Sequence, residues 1–168
     1  ENKLIEKNFS KNFFSIFSKS IKNHFISDVP VAIYLSGGLD STSIATLAKK
    51  ELSIHKLKAF NLKFGNKSFD EDKLASSVAK ELDLDLETFE FPEKDIAPTI
   101  LNLIENLDEP LSDPGYLAVG MISQYVKKNN YKVVISGDGG DELFGGYEPF
   151  LKYNYYDKLK NNYPLLAL

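Results

Sequence analysis

The sequence predicts an α/β fold, an open, mostly parallel sheet with helices on both faces, and three observations predict it. Four short apolar runs, near residues 31, 57, 84 and 131, have the length of buried strands. Segments with helical spacing of apolar residues alternate with them, the pattern of parallel βα units. Two of the runs end in glycine-rich turns that open helical patterns, which puts both turns at the carboxyl ends of strands. Ligands bind there in such sheets, so both turns are expected to line one cleft.

Taken in order, residues 3 to 26 carry Phe9, Phe13, Phe17, Ile21 and Phe25 at i, i+4 steps, with Phe14 and Ile16 widening the stripe. The favoured reading is a helix packed on the sheet or on another domain; lysines on its other face also allow a membrane-surface helix. His24 near its end reads as structural. Val31 to Leu35 is the first strand, Ser36-Gly37-Gly38 a sharp turn, and Ser41-Thr42 the start of a helix to about Lys50. Leu57 to Phe64 is the second strand; His55 before it has no partner at metal-ligand spacing. Gly65 to Ser68 is a loop. Asp70 to Leu82 is a helix whose acidic start complements the helix dipole.

Leu84 to Phe91 is the third strand, ended by Pro92. A helix is expected from Pro98, in its first turn, to Leu107. Two prolines and a glycine make Asp108 to Gly115 an irregular loop bearing three carboxylates; Asp113 either joins a site or caps the next helix, Tyr116 to Lys128. Tyr131 to Ile135 is the fourth strand. From Glu148 the chain is rich in Tyr, Phe and Lys and helical to about Lys160.

The first glycine turn carries the most chemistry. A strand, a tight turn and a helix start aim the unpaired backbone N–H groups of the first helical turn at one point, with the helix dipole behind them. Gly37 and Gly38 lack a Cβ, so an anion can approach the backbone. Ser36 and Ser41 add hydroxyls. Asp40 would repel a bound phosphate, so a Mg²⁺ between them is implied. The spacing of a Walker loop is absent.

The second turn, Ser136-Gly137-Asp138-Gly139-Gly140-Asp141-Glu142-Leu143-Phe144-Gly145-Gly146-Tyr147, repeats that logic with five glycines and three acids. Asp138, Asp141 and Glu142 fall at i, i+3 and i+4, so at least two can face one point if the turn is helical. Acids beside an anionic ligand again suggest metal, or protonation chemistry.

Composition narrows the classes. The net charge is −4, the pI about 5.3, and all basic charge comes from lysine, which argues against a nucleic-acid surface. Without cysteine there is no disulfide, thiolate zinc site or Cys nucleophile. No apolar run has transmembrane length and no signal peptide is visible, so a soluble cytoplasmic protein is expected. The 168 residues suit one domain: an N-terminal helix, 1–28, packed on a domain at 29–168. The chain begins without Met and stops on an apolar Leu165 to Leu168, so a C-terminally truncated piece of a longer protein is expected.

Ser36 to Ser41 resembles the Ser-Gly-Gly-x-Asp-Ser pyrophosphate loop of the ATP pyrophosphatases. Together with Asp108-Glu109-Pro110, Asp113-Pro114 and the Ser136 to Tyr147 stretch, it resembles the synthetase domain of glutamine-dependent asparagine synthetases, over about residues 15 to 158. That resemblance implies a Rossmann-like fold of the adenine nucleotide alpha hydrolase type, with ATP and Mg²⁺ as cofactors. It implies that Ser36, Gly37, Gly38, Leu39, Asp40 and Ser41 hold the pyrophosphate, and that Asp40 and Asp141 bind Mg²⁺. Tyr34, Leu35, Leu62, Ser136 and Gly137 would hold adenosine. Asp138 stands where an acid, often Glu, assists acyl-adenylate formation, and with Asp141 is the catalytic candidate.

The activity so implied is adenylylation of the aspartate side-chain carboxylate with release of pyrophosphate, then attack by ammonia to give asparagine and AMP. The ammonia would come from a glutaminase domain with an N-terminal Cys, absent from this sequence. A lysine that steadies pyrophosphate in the family has no clear match downstream, so the piece alone is expected to be inactive. A homodimer of the parent stays open. The alternatives are a related enzyme acting on another carboxylate, as in β-lactam closure, and a non-catalytic adenine-nucleotide-binding module. Retention of Asp40, Asp138 and Asp141 together favours the enzyme.

Overall fold

The computed structural model describes residues 2–54, 56–63, 71–109, 113–150, 152, 153, 155 and 157. Two compact units, Glu1–Ser136 and Gly137–Leu168, divide the chain.

The first unit runs α1 (Asn2–His24), β1 (Val31–Tyr34), α2 (Leu39–Leu52), β2 (Lys58–Lys63), α3 (Glu71–Glu81), β3 (Asp85–Glu90), α4 (Glu93–Glu105), α5 (Pro114–Lys128) and β4 (Val133–Ile135). The four strands form one sheet in the order β3-β2-β1-β4, every pair parallel. This is the doubly wound α/β architecture expected. Along β1, Ala32 and Tyr34 face one layer while Ile33 and Leu35 face the other, as the two-residue period requires. One core joins Ile33, Leu35 and Ala59 to Ile21 of α1, Ile44, Ala45, Leu47 and Ala48 of α2, and Ala75 and Ala79 of α3. The opposite core joins Ala32 and Phe60 to Ile122 and Val126 of α5. The central strands β1 and β2, covered on both faces, read as apolar runs without alternation, whereas the edge strand β3 is partly exposed.

The stripe of α1 divides. Phe17, Ile21 and Phe25 pack into the first core, whereas Phe9 and Ile16 are 67% and 70% exposed. No helix among the described residues is long and apolar enough to cross a membrane.

Several boundaries differ from expectation. Helix α2 starts at Leu39, before Ser41, with Gly38 as its N-cap. Helix α4 starts at Glu93, so Pro98 sits inside it and not in its first turn. Pro92 supplies the cap, its carbonyl accepting from Asp95 N–H at 2.9 Å, and Glu93 and Asp95 suit the positive helix end. Pro98 forgoes the helical hydrogen bond to the carbonyl of Lys94. Helix α5 begins at Pro114, not Tyr116, because Pro is pre-set for a first helical position. The fourth strand is only Val133–Ile135. His55, Gly65 to Ser68, Asp70 and Pro110 to Ser112 lie outside the described residues.

In the second unit, α6 (Gly140–Phe144) is a helix of 5 residues. Glu148–Phe150 and the described residues from Lys152 to Asp157 are helical.

Candidate functional site

Strand order 3-2-1-4, with α2 and α3 on one face and α5 on the other, places the switch in winding between β1 and β4. In such sheets the ligand crevice opens at the carboxyl ends of those two strands. Register pairs Ile33 with Ile135, so the first glycine turn and Ser136 leave neighbouring strands at the same edge.

The first turn is tightly organised. The first intrahelical bond of α2 is from Thr42 N–H to the Gly38 carbonyl, 3.0 Å. The N–H groups of Leu39, Asp40 and Ser41 therefore have no helical acceptor, and Gly38 supplies no side-chain cap. Ser36 Oγ accepts from Gly38 N–H at 3.2 Å and lies 3.1 Å from Ser41 Oγ; Ser41 Oγ–H in turn reaches the Gly38 carbonyl at 3.3 Å. The two hydroxyls thus stand side by side at the open end of a helix of 14 residues. Asp40 sits in its first turn.

The glycines do different work. Gly37 has φ +84°, and a Cβ there would lie 2.6 Å from Leu74 Cβ and from Ala75 N of α3. Its missing side chain admits α3, a packing requirement that local spacing does not show. Gly38 has ordinary dihedrals, and among the described residues a Cβ there would meet only Ser36 Oγ, at 3.3 Å. Of the two, Gly38 is the open approach.

The residues expected around adenosine separate by face. Tyr34 and Leu62 share the α5 side of the sheet, and the Tyr34 hydroxyl lies 2.8 Å from Ser123 Oγ. Leu35 is sealed in the opposite core at 1% exposure, so only its backbone can meet a ligand. A cavity of about 780 Å³ opens beside Tyr34, lined by Ser123, Val126, Lys127, Tyr131 and Val134 among others. It includes none of Ser36 to Ser41, so the helix end, with its chemistry, remains the better candidate centre.

Two buried polar atoms near the turn escaped sequence reading. Asn61, 3% exposed on β2, has an Nδ2 with no protein acceptor, and Thr42 Oγ1 in the first turn of α2 is likewise unpaired among the described residues. A lone amide inside the apolar run Ala59 to Leu62 was the available signal. Buried donors of this kind are normally satisfied by water or ligand.

In the second unit, Gly139 (φ +90°) is the N-cap of α6 and Gly145 (φ +72°) its C-cap. Gly140 N–H donates to the Gly137 carbonyl at 3.2 Å. Asp138 lies in the turn before the helix, so the three acids do not share one helical face; Asp141 and Glu142 alone are in α6. The Tyr147 hydroxyl donates to Glu142 Oε1 at 2.7 Å and, with backbone N–H groups, holds that carboxyl below its usual range. Asp113 is the N-cap of α5, its Oδ1 accepting from Gly115 N–H at 2.8 Å, which is the capping alternative; Asp108 and Glu109 are exposed.

No cluster of three metal-ligating side chains occurs among the described residues. Magnesium is usually held by one or two carboxylates with substrate phosphates and water, and Asp40 in the first turn of α2 and the Ser36 and Ser41 hydroxyls are oxygen donors of the kind it takes.

Comparison with known proteins supplies the family. The family described as Asparagine synthase matches residues 13–167. An asparagine synthetase [glutamine-hydrolyzing] of Bacillus subtilis is 34% identical over 129 residues, covering 76% of this chain and 20% of that protein. A maize (Zea mays) asparagine synthetase is 33% identical over 149 residues, covering 82% and 25%. The chain thus spans about a fifth to a quarter of these relatives. Among solved structures, NMN synthetase from Francisella tularensis matches with TM-score 0.53 at 22% identity, covering 84% of this chain and 58% of that one, which shows the shared fold. By the extent of its match, the chain belongs to the asparagine synthase family.

Proposed function

We propose that this domain binds ATP at the first glycine turn and, within the full-length protein, activates a carboxylate for amide formation. The carrying observation is the N-terminus of α2, which has no side-chain cap, with three N–H groups that have no helical acceptor and the Ser36–Ser41 hydroxyl pair beside them. Such a helix end is suited to a pyrophosphate. Ser36, Gly38, Leu39, Asp40 and Ser41 form this phosphate end, Gly37 shapes it, and Tyr34, Leu35, Leu62, Ser136 and Gly137 are assigned to adenosine.

Aspartate is the proposed carboxylate, from the names of the relatives. Its side-chain oxygen bonds to the α-phosphorus as the α–β phosphate bond breaks and pyrophosphate departs; ammonia then forms the amide and releases AMP. The protein contributes fixed donors where charge accumulates on pyrophosphate, so little reorganisation accompanies the step. The chemistry supplied by Mg²⁺, proposed on Asp40 and Asp141, is neutralisation of that charge. Asp138 is assigned to adenylate formation.

Two relatives favour a second reading. Amidase chyE of Penicillium rubens and Amidase chry2 of Gibberella zeae are 30% and 29% identical over 163 and 145 residues. A carboxylate other than aspartate is therefore the alternative acceptor. Calorimetric titration with a non-hydrolysable ATP analogue, with and without Mg²⁺, tests the nucleotide site. ATP–pyrophosphate exchange in the full-length protein, dependent on aspartate, tests the acceptor; exchange driven by another acid and not by aspartate selects the second reading.

A further inference from the structure

Helix α6 is 5 residues long, and a single short turn of helix does not hold itself together in water. Its N-cap is a glycine that offers no side-chain acceptor. Stability must come from the far end. There Gly145 and Gly146 both donate their N–H groups to the Asp141 carbonyl, at 2.8 and 3.1 Å. The chain then doubles back so closely that a Cβ on Gly146 would stand 1.9 Å from Asp141 Oδ1 and 2.8 Å from Asp141 Cγ. The Asp141 carboxylate lies against the bare Cα of Gly146.

One residue further, the Tyr147 hydroxyl reaches back across the turn to Glu142 Oε1 at 2.7 Å. The ring is braced by Phe150, with centroids 5.7 Å apart and planes at 60°. A phenol is a rigid lever with few rotatable bonds, so this bond fixes the separation between the helix and the turn that follows it. Both partners are exposed, so the bond adds little to global stability. Its effect is local, on the residue between them and the helix axis.

We infer that Tyr147, acting through Glu142, is a positioning residue for Asp141: it closes the turn that lays the Asp141 carboxylate against Gly146 and presents it ready oriented. Glu142 is then a strut and Asp141 the acid that faces the ligand. The inference rests on the reading that Asp141 contacts the magnesium–nucleotide complex.

The test uses the full-length protein and two readouts: calorimetric affinity for a non-hydrolysable ATP analogue with Mg²⁺, and the KM and kcat of ATP–pyrophosphate exchange. Loss of one hydrogen bond predicts that Tyr147→Phe weakens analogue binding and raises KM by about three- to tenfold, with kcat nearly unchanged. Glu142→Gln keeps the acceptor and stays close to wild type, whereas Glu142→Ala matches Tyr147→Phe, and the double variant is no worse than either. Gly146→Ala, which takes the space of the carboxylate, weakens binding further. If Asp141→Asn weakens binding while Tyr147→Phe does not, the strut is refuted and the role of Asp141 stands. If Asp141→Asn itself leaves binding unchanged, the underlying reading fails and the inference with it.

Discussion

Ser36 Oγ and Ser41 Oγ stand 3.1 Å apart, one at the start of the turn after the first strand and one in the first turn of the helix that follows. Their separation is set by Gly38, whose N–H and carbonyl bind one hydroxyl each. The pair is therefore arranged before any phosphate arrives. Ser36→Ala removes one donor and the acceptor for Gly38 N–H. It should weaken nucleotide binding by about 1–2 kcal/mol, roughly tenfold, in calorimetric titration, with little change in melting temperature.

The two glycines beside that pair should respond in opposite ways. Gly37→Ala must place a methyl at φ +84° and 2.6 Å from α3, so a loss of about 2–4 kcal/mol in stability is expected in denaturant unfolding. Gly38→Ala meets neither obstacle and should lose less stability than Gly37→Ala, yet lose affinity for nucleotide because the methyl stands against Ser36 Oγ at the helix end. Equal stability losses in the two variants would contradict this division.

Among the acids, Asp40→Ala should weaken binding of the ATP analogue in the presence of Mg²⁺ and matter little in its absence. Asp138→Ala should leave analogue affinity nearly intact and abolish pyrophosphate exchange in the full-length protein. Exchange retained in Asp138→Ala would remove its assigned role.

Away from the site, Glu87 of β3 accepts from Lys58 Nζ at 2.7 Å and from the Tyr125 hydroxyl. These hydrogen bonds, Lys58 first, hold the Glu87 carboxyl below its ordinary value of 4.5. A lowered carboxyl contributes stability that is present above pH 4.5 and lost as pH falls through its folded value. Burial pulls Lys58 down, but Glu87 and Asp85 outweigh it and raise it; the bond to Glu87 likewise raises Tyr125. Those contributions persist below their ordinary values and disappear at strongly alkaline pH. Glu87→Gln should cost about 1–2 kcal/mol at pH 7, and the deficit should shrink in thermal melts toward pH 3.

The fold and the first turn were legible in the sequence because backbone rules determine them. An apolar run that stops at Ser36-Gly37-Gly38 and resumes at helical spacing leaves few alternatives, and the parallel sheet confirms that reading. What stayed hidden depends on tertiary neighbours. The packing of Gly37 against α3 is one such feature, because a neighbouring helix cannot be inferred from local spacing. Asn61 passed as part of an apolar strand, and only its burial without an acceptor marks it. Pro98 marked a helix start by habit of position, while the cap at Pro92 and the acids after it set the start earlier. For the acids of the second turn, spacing allowed at least two to face one point if the turn were helical, but not which; the onset of α6 at Gly140 leaves Asp141 and Glu142 in the helix and Asp138 before it.

The contact of Gly37 with α3 also limits how this motif travels. Six residues, Ser36 to Ser41, spell a recognisable signature, but Gly37 among them lies against Leu74 and Ala75 from a separate helix. Grafted into another strand–turn–helix without that buttress, the same letters would be free to relax away from the geometry that pairs the two serines. The transplantable unit is the turn together with the helix pressed against it, and a search by signature alone will recover chains that spell the motif without building it.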